Sequence, residues 1–284
     1  MSYRPPRKAP SDRSHLERLV QALSVEEGIA ADRLRRWVSA QVLLGALSRD
    51  SDDRRRFLLK GGVAMELRLR LRARATKDID IIVFAESEDS LVDTLQVALE
   101  ASYLEFGFRL ARVQSIANTP ASRMDVKLTY KSRPWATLRL EASLPEVESA
   151  EVDEISAFSL TQLGLDGPEV VACQSLRYQI ATKLHAVTER FEVGENDRFR
   201  DLIDLLLLRD LQPDLPRVAA ACREIFALRA KQAWPPSLTI EPSWPEQYRA
   251  LAIDQGFAVV EIADAVSKVR SLIEDIDSEG QHGP

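Results

Sequence analysis

The stretch Lys77-Asp78-Ile79-Asp80-Ile81-Ile82-Val83-Phe84 constrains the fold more than any other part of the chain. From Ile79 onward it is apolar and β-branched, the pattern of a buried strand. Side chains two apart on a strand point to the same side. Ile79, Ile81 and Val83 therefore enter a core, while Asp78 and Asp80 project together from the opposite face. More sheet follows. Arg109 to Ile116 reads as a strand. Met124–Tyr130 and Thr137–Ser143 both alternate, and the Ser132–Trp135 segment between them reads as the turn of a hairpin.

Helical patterns flank this region. Residues 13–50 carry two apolar stripes, one on Leu16, Leu19, Val20 and Leu23 and one, after a cap at Asp32, on Leu34, Trp37, Val38, Val42, Leu43 and Leu47. Phe57-Leu58-Leu59-Lys60-Gly61-Gly62 is a short apolar run ending in a glycine pair, and Val63–Leu71 is helical. Ser90–Phe106 is amphipathic. Beyond about residue 165 the strands are expected to stop. Val170–Arg190, Phe199–Arg209 and Leu251–Ile276 read as helices, with a loop at Pro235, Pro236, Pro242 and Pro245. The order predicts an α+β fold with a mixed-sheet domain over 13–165, a helical domain over 166–276, and disordered tails at 1–12 and 277–284.

Composition narrows the chemistry. The 284 residues allow one large domain or two ordinary ones, and 45% hydrophobic with 29% charged residues predicts a soluble chain with a proper core. No apolar run approaches the roughly 20 residues a bilayer span needs, and the basic N-terminus lacks the apolar stretch of a secretory signal. Cys173 and Cys222 stand far apart, and the three histidines are His15, His185 and His282, of which His185 has no motif partner and reads as structural. A His-based triad, a structural zinc and a disulfide framework are therefore not expected. A metal here would take oxygen ligands, which points to magnesium or manganese. The net charge is −6, yet nine basic residues and one acid, Glu66, lie between Arg54 and Lys77. Such a surplus either attracts a polyanion or forms a solvated helix face.

Three features could carry chemistry together. Lys60-Gly61-Gly62, between a strand and a helix, lets backbone approach a ligand closely, and the helix N-terminus offers N–H groups to phosphate. Asp78 and Asp80 place two carboxylates side by side, an arrangement that a cation relieves. The glycine pair ends sixteen residues before Asp78, with one helix between. A phosphate cradle and a metal pair then fall at one end of one sheet, which is what nucleotidyl transfer requires. Glu141, on the face opposite Leu138 and Leu140, is the preferred third carboxylate, with Asp125 the rival. Lys183 lies on the apolar stripe of Leu176, Ile180 and Val187, and either snorkels to water or points into a polar pocket. Asp201 and Asp204, three apart on a helix, share one face and could hold it.

The runs FLLKGGVAMEL and RATKDIDIIVF, followed by IATKLHAVTER and RFRDLIDLLLL, resemble the AbiEii/MenT nucleotidyltransferase toxin family over roughly residues 55–210. Arg74, Thr76, Asp78 and Asp80 fit its R-x-S/T-x-D-x-D pattern. Lys183 fits its later lysine, and Arg200, Asp201 and Asp204 fit its Arg-Asp-x-x-Asp helix. Many members carry Gly-Gly-Thr/Ser where this chain has Gly61-Gly62-Val63, so one hydroxyl near the cradle is missing. The resemblance implies a polymerase-β-like nucleotidyltransferase sheet with a C-terminal helical domain and a site in the cleft between them. Asp78, Asp80 and Glu141 would hold magnesium. Lys60, Gly61, Gly62, Arg74, Thr76, Lys183 and Asp204 would bind the NTP, with Lys183 and Asp201 also catalytic. It further implies a tRNA 3′ end as acceptor, a cognate antitoxin of winged-helix type, and a cytoplasmic toxin. A protein or small-molecule acceptor, or an inactive partner-binding module, is the alternative.

Overall fold

The computed structural model describes residues 8–49, 56–116, 119–147 and 151–282. The chain divides into two compact units, Met1–Arg70 with Ala75–Gln174, and Leu71–Arg74 with Ser175–Pro284.

The first unit begins with helices α1 (Arg13–Glu27) and α2 (Ala31–Leu47). The Asp12 carboxylate caps α1 by accepting from His15 N–H at 2.9 Å. Strand β1 (Phe57–Lys60) leads directly into α3 (Gly61–Leu69), and β2 (Asp78–Val83) returns antiparallel to β1. Then follow α4 (Glu88–Ala98), β3 (Phe106–Ser115), β4 (Ala121–Tyr130), β5 (Arg133–Ser143), β6 (Val152–Ser156) and β7 (Val170–Gln174). They build one mixed seven-stranded sheet in the order β3-β4-β5-β2-β1-β7-β6. β2 pairs parallel with β5, and β1 parallel with β7. Ile79, Ile81, Val83, Met124, Val126, Leu128, Leu138, Leu140 and Ala142 turn to a common core with residues of α1, α2, α3 and α4. The period-2 alternation sends the charged residues of these strands to the other face.

Several boundaries differ from the sequence expectation. The β4–β5 hairpin turns at Lys131-Ser132, both with positive φ, and Trp135 lies buried in β5. Its ring packs edge-on to Phe106 and its indole N–H donates to Ser39 Oγ at 2.9 Å, so its bulk belongs to the core. Sheet continues past residue 165. Val170–Gln174 is a strand whose Cys173 pairs with Leu59, and the helix expected from Val170 starts at Leu176. Two β-branched residues and burial between neighbouring strands outweigh the helical spacing there. β6 was not anticipated, because an edge strand as polar as Val-Asp-Glu-Ile-Ser shows no apolar face. Residues 8–12, expected in a disordered tail, are packed: Pro10 O accepts from Tyr130 Oη at 2.9 Å, and Lys8 O lies where a Cβ on Gly164 would fall.

The second unit is helical, with α5 (Leu176–Thr188), α6 (Arg200–Arg209), α7 (Leu215–Arg229), α8 (Trp244–Asp254) and α9 (Ile262–His282). α5 packs on α6 and α7, and α9 packs on α6 and α7. The single helix expected over 251–276 is two, because Gly256, in a left-handed conformation, ends α8. α9 runs on to His282, through residues expected as a tail; its apolar stripe, Val266, Val269, Leu272, Ile273 and Ile276, is buried. No helix among the described residues is long and apolar enough to cross a membrane.

Candidate active site

The β1-to-α3 junction is built around the carboxylates of β2. Gly61 has φ +64°, and a Cβ there would fall 2.0 Å from Asp80 Oδ2. A Cβ on Gly62 would fall 2.6 Å from Thr76 Oγ1. Both glycines are therefore dictated by close approach, one to Asp80 and one to Thr76, and Gly61 also by backbone conformation. This is why the glycine pair and the Thr-x-Asp-x-Asp run occur together. Gly62 N–H donates to the Asp80 carboxylate.

Strand register assembles the rest. Lys60 on β1 lies opposite Asp80, and Asp80 lies opposite Glu141 on β5, which lies opposite Arg123 on β4. One row thus reads Arg123, Glu141, Asp80, Lys60 across four strands. Arg123 Nη2 is 3.0 Å from Glu141 Oε2, and Lys60 Nζ donates to Ser143 Oγ at 2.7 Å. The next row on the same face reads Asp125, Arg139, Asp78, with Arg139 Nη1 3.5 Å from Asp78 Oδ1. Glu141 is directly beside Asp80, whereas Asp125 is one strand further away and faces Arg112 at 3.6 Å.

Burial pushes the Asp80 carboxyl above its ordinary value; Lys60 opposes the shift, and the negative charges of Glu141 and Asp78 add to it. A divalent cation relieves such a cluster. Among the described residues no three His, Cys, Asp or Glu side chains form a ready-made metal cage. Magnesium does not need one: it takes one or two carboxylates and completes its shell with phosphate oxygens and water. Asp78 and Asp80, with Glu141 beside them, fit that donor set.

Glu66, which sequence reasoning counted only as the lone acid of a basic stretch, is a buried clamp. One oxygen accepts Thr76 N–H at 2.8 Å, and the other accepts the Trp37 indole N–H with Arg33 Nε at 3.6 Å. It fixes α3 to α2 and to the entry of β2, and thereby the glycine turn to the carboxylates. An acid inside the otherwise apolar segment Val63–Leu67 was the available signal.

The second unit gathers the other motif residues. Lys183 Nζ donates to Asp201 Oδ1 at 2.7 Å and Asp204 Oδ2 at 2.6 Å. Arg74 forks onto Asp204, both contacts at 3.1 Å. Burial lowers the Lys183 pKa, but the two carboxylates outweigh it and hold the ammonium above its ordinary value. Burial likewise raises Asp204, and Lys183 with Arg74 outweighs it and holds the carboxyl low. The cluster is two cations and two anions, nearly dry. His185 is buried against Phe226, ring centroids 5.0 Å apart, consistent with a structural role. An open groove of about 620 Å³ near Val259, Glu261 and Lys268 contains none of these residues.

The basic segment is less available than its composition suggests. Arg54 and Arg55 lie outside the described residues. Arg68 pairs with Asp153 at 2.8 Å and donates to Gln174 O at 2.7 Å. Arg70 donates to Ser156 O at 2.9 Å and covers the Phe158 ring, and Arg72 pairs with Asp210.

The model of the AbiEii nucleotidyltransferase toxins of type IV toxin–antitoxin systems matches residues 43–269. The chain belongs to this family. Its fold is similar to that of MenT4, a nucleotidyltransferase toxin from Mycobacterium tuberculosis H37Rv, with a TM-score of 0.58 and 17% identity over 95% of this chain and 92% of that one. At that identity the likeness shows the α+β fold with its mixed sheet. No curated protein matches the chain. Membership in a toxin–antitoxin family implies an antitoxin partner, and the family and fold together support a transferase.

Proposed function

We propose that the protein transfers a nucleotide from an NTP to the 3′ end of tRNA, which blocks aminoacylation and stops translation, and that a cognate antitoxin opposes it in the cytoplasm. The observation that supports this reading best is the junction of the Gly61-Gly62 turn with Asp78, Asp80 and Glu141 on adjoining strands. Asp78 and Asp80 would hold magnesium, with Glu141 as third ligand. So bound, the metal would stabilise charge on the attacking and leaving oxygens.

The chain's own groups do the rest. Gly61 and Gly62 let triphosphate oxygens approach the α3 N-terminus, where N–H groups and the helix dipole favour anions. Lys60 and Thr76 flank this turn. Glu66 keeps Thr76 and the turn in place. Lys183 neutralises triphosphate charge, Asp201 and Asp204 keep it ionised and oriented, and Arg74 balances Asp204. The acceptor hydroxyl attacks the α-phosphorus and releases its proton to solvent, the bond to the β-phosphate oxygen breaks, and pyrophosphate leaves with that electron pair.

Incubation with total cellular RNA, protein and small-molecule extract, each labelled NTP in turn and magnesium tests the acceptor. Label in the tRNA band supports the proposal. Label only in protein or in small molecules overturns the tRNA acceptor.

A further inference from the structure

The polar face of the sheet does not end at the carboxylates. It continues over β5, β4 and β3 as Arg139, Arg123, Lys127, Arg109 and Arg112, all exposed, against only Asp125 and Glu141. Arg109 and Lys127 are directly opposite each other in register, and neither has an acidic partner among the described residues. Like charges so placed destabilise a sheet. A bulge between Ala111 and Gln114 turns Arg112 outward, 80% exposed.

Basic residues on an edge strand can serve to prevent edge pairing. That accounts for β3, and ion pairs with Glu141 and Asp78 account for Arg123 and Arg139, but neither accounts for Lys127, which lies on the interior strand β4. Arg123, Arg139 and Arg112 are balanced by Glu141, Asp78 and Asp125 at 3.0, 3.5 and 3.6 Å, whereas Arg109 and Lys127 face each other without an acid, and two such cations on the face that leads to the carboxylate pair fit a chain of phosphates. Resting on the nucleotidyl-transfer reading, we infer that the β3–β4–β5 face, through Arg109, Lys127 and Arg112, binds the phosphate backbone of a nucleic-acid acceptor whose 3′ end reaches Asp78 and Asp80. Arg68, Arg70, Arg72 and Arg74 of the segment 54–77 make internal contacts, so that segment is the less available of the two basic regions.

The register sets the reach. Lys127 is two strands across from Asp80 and four residues along from the Arg123 row. Spacings of about 4.8 Å between strands and about 3.3 Å per residue give roughly 16 Å. At about 3.4 Å per stacked nucleotide, the contact falls near the fifth nucleotide from the 3′ end.

The test uses full-length protein, end-labelled unfractionated tRNA and no NTP, with binding followed by fluorescence anisotropy across salt concentrations. Lys127→Glu and Arg109→Glu, made singly, each leave an opposite-charge pair in register, so melting temperature is expected to hold or rise. Each is expected to weaken tRNA about fivefold or more and to lower the log–log salt slope by about 0.7–0.9. Arg56→Glu, exposed in the segment 54–77, is expected to change neither. Wild-type affinity and slope in both variants would overturn the surface while leaving RNA transfer standing. Equal weakening by Arg56→Glu would also overturn it. A wild-type protein that neither binds nor extends RNA would overturn the acceptor reading and the surface with it.

Discussion

Replacing Lys183 by methionine keeps an unbranched chain, one heavy atom shorter, and removes its charge from a site where Lys183 is 11% exposed, Asp201 8% and Asp204 1%. Two charge-assisted hydrogen bonds disappear, and a carboxylate is left buried with one cation too few. Breaking a buried pair from one side costs about 3–5 kcal/mol. Arg74 still neutralises Asp204, so the lower part of that range, about 3–4 kcal/mol, is expected. For a protein of this size each kcal/mol moves the midpoint by about 2–4 °C, giving a drop of roughly 6–16 °C at neutral pH. The pH dependence follows from the two shifts. Lys183, held high, contributes stability below the ordinary lysine value and loses it as pH rises through its raised value. Asp204, held low, contributes stability above the ordinary carboxylate value and loses it as pH falls through its depressed value. The gap between wild type and Lys183→Met is therefore widest between these limits and closes at both extremes. Thermal unfolding across pH checks this, with NTP turnover measured well below the variant's midpoint to separate folding from chemistry. A midpoint within about 1 °C of wild type at neutral pH would refute the buried-cluster argument. Normal turnover by the folded variant would refute a role for Lys183 in using NTP.

Asp80, whose carboxyl is raised, favours the fold below the ordinary carboxylate value and loses that contribution as pH rises through its raised value. Asp80→Asn is thus expected to melt higher than wild type at neutral pH without divalent cation, to lose this advantage in acid, and to gain no midpoint from added magnesium; a lower midpoint at neutral pH contradicts the account. Gly61→Ala puts a methyl group 2.0 Å from Asp80 Oδ2 on backbone at φ +64°. It should lose at least about 1–2 kcal/mol in denaturant titration and all detectable transfer, and unchanged values would show that the turn is not fitted to Asp80. Glu66→Gln keeps shape but cannot accept from both Thr76 and Trp37, so kcat should fall more than KM rises; an unaltered kcat would remove Glu66 from the positioning of β2.

The core of the fold was legible because local and global preferences agree in it. Ile79–Phe84 is apolar, β-branched and central, and its alternation placed Asp78 and Asp80 on one face before any partner strand was known. Register across strands was not legible. That Glu141 sits beside Asp80, and Asp125 does not, depends on the parallel pairing of β2 with β5, a long-range choice that no local pattern reveals. Glu66 was hidden for a related reason, since its partners, Trp37 and Thr76, come from separate elements. The helix expected from Val170 failed because a short apolar run reads equally well as strand or helix until its neighbours are known. The availability of the basic residues in segment 54–77 was not legible either: composition shows how many arginines are present, but only the structure shows that Arg68, Arg70, Arg72 and Arg74 already have partners.

Extension of tRNA itself tests the central claim most directly. Wild-type protein and Asp80→Asn would be incubated with magnesium and each labelled NTP, using tRNA with its 3′-terminal ribose intact or periodate-oxidised. The account predicts label at the 3′ end of intact tRNA with wild type, none on oxidised tRNA, and none with Asp80→Asn. Equal labelling of oxidised tRNA, equal labelling by Asp80→Asn, or no labelling by wild type with any NTP would contradict it.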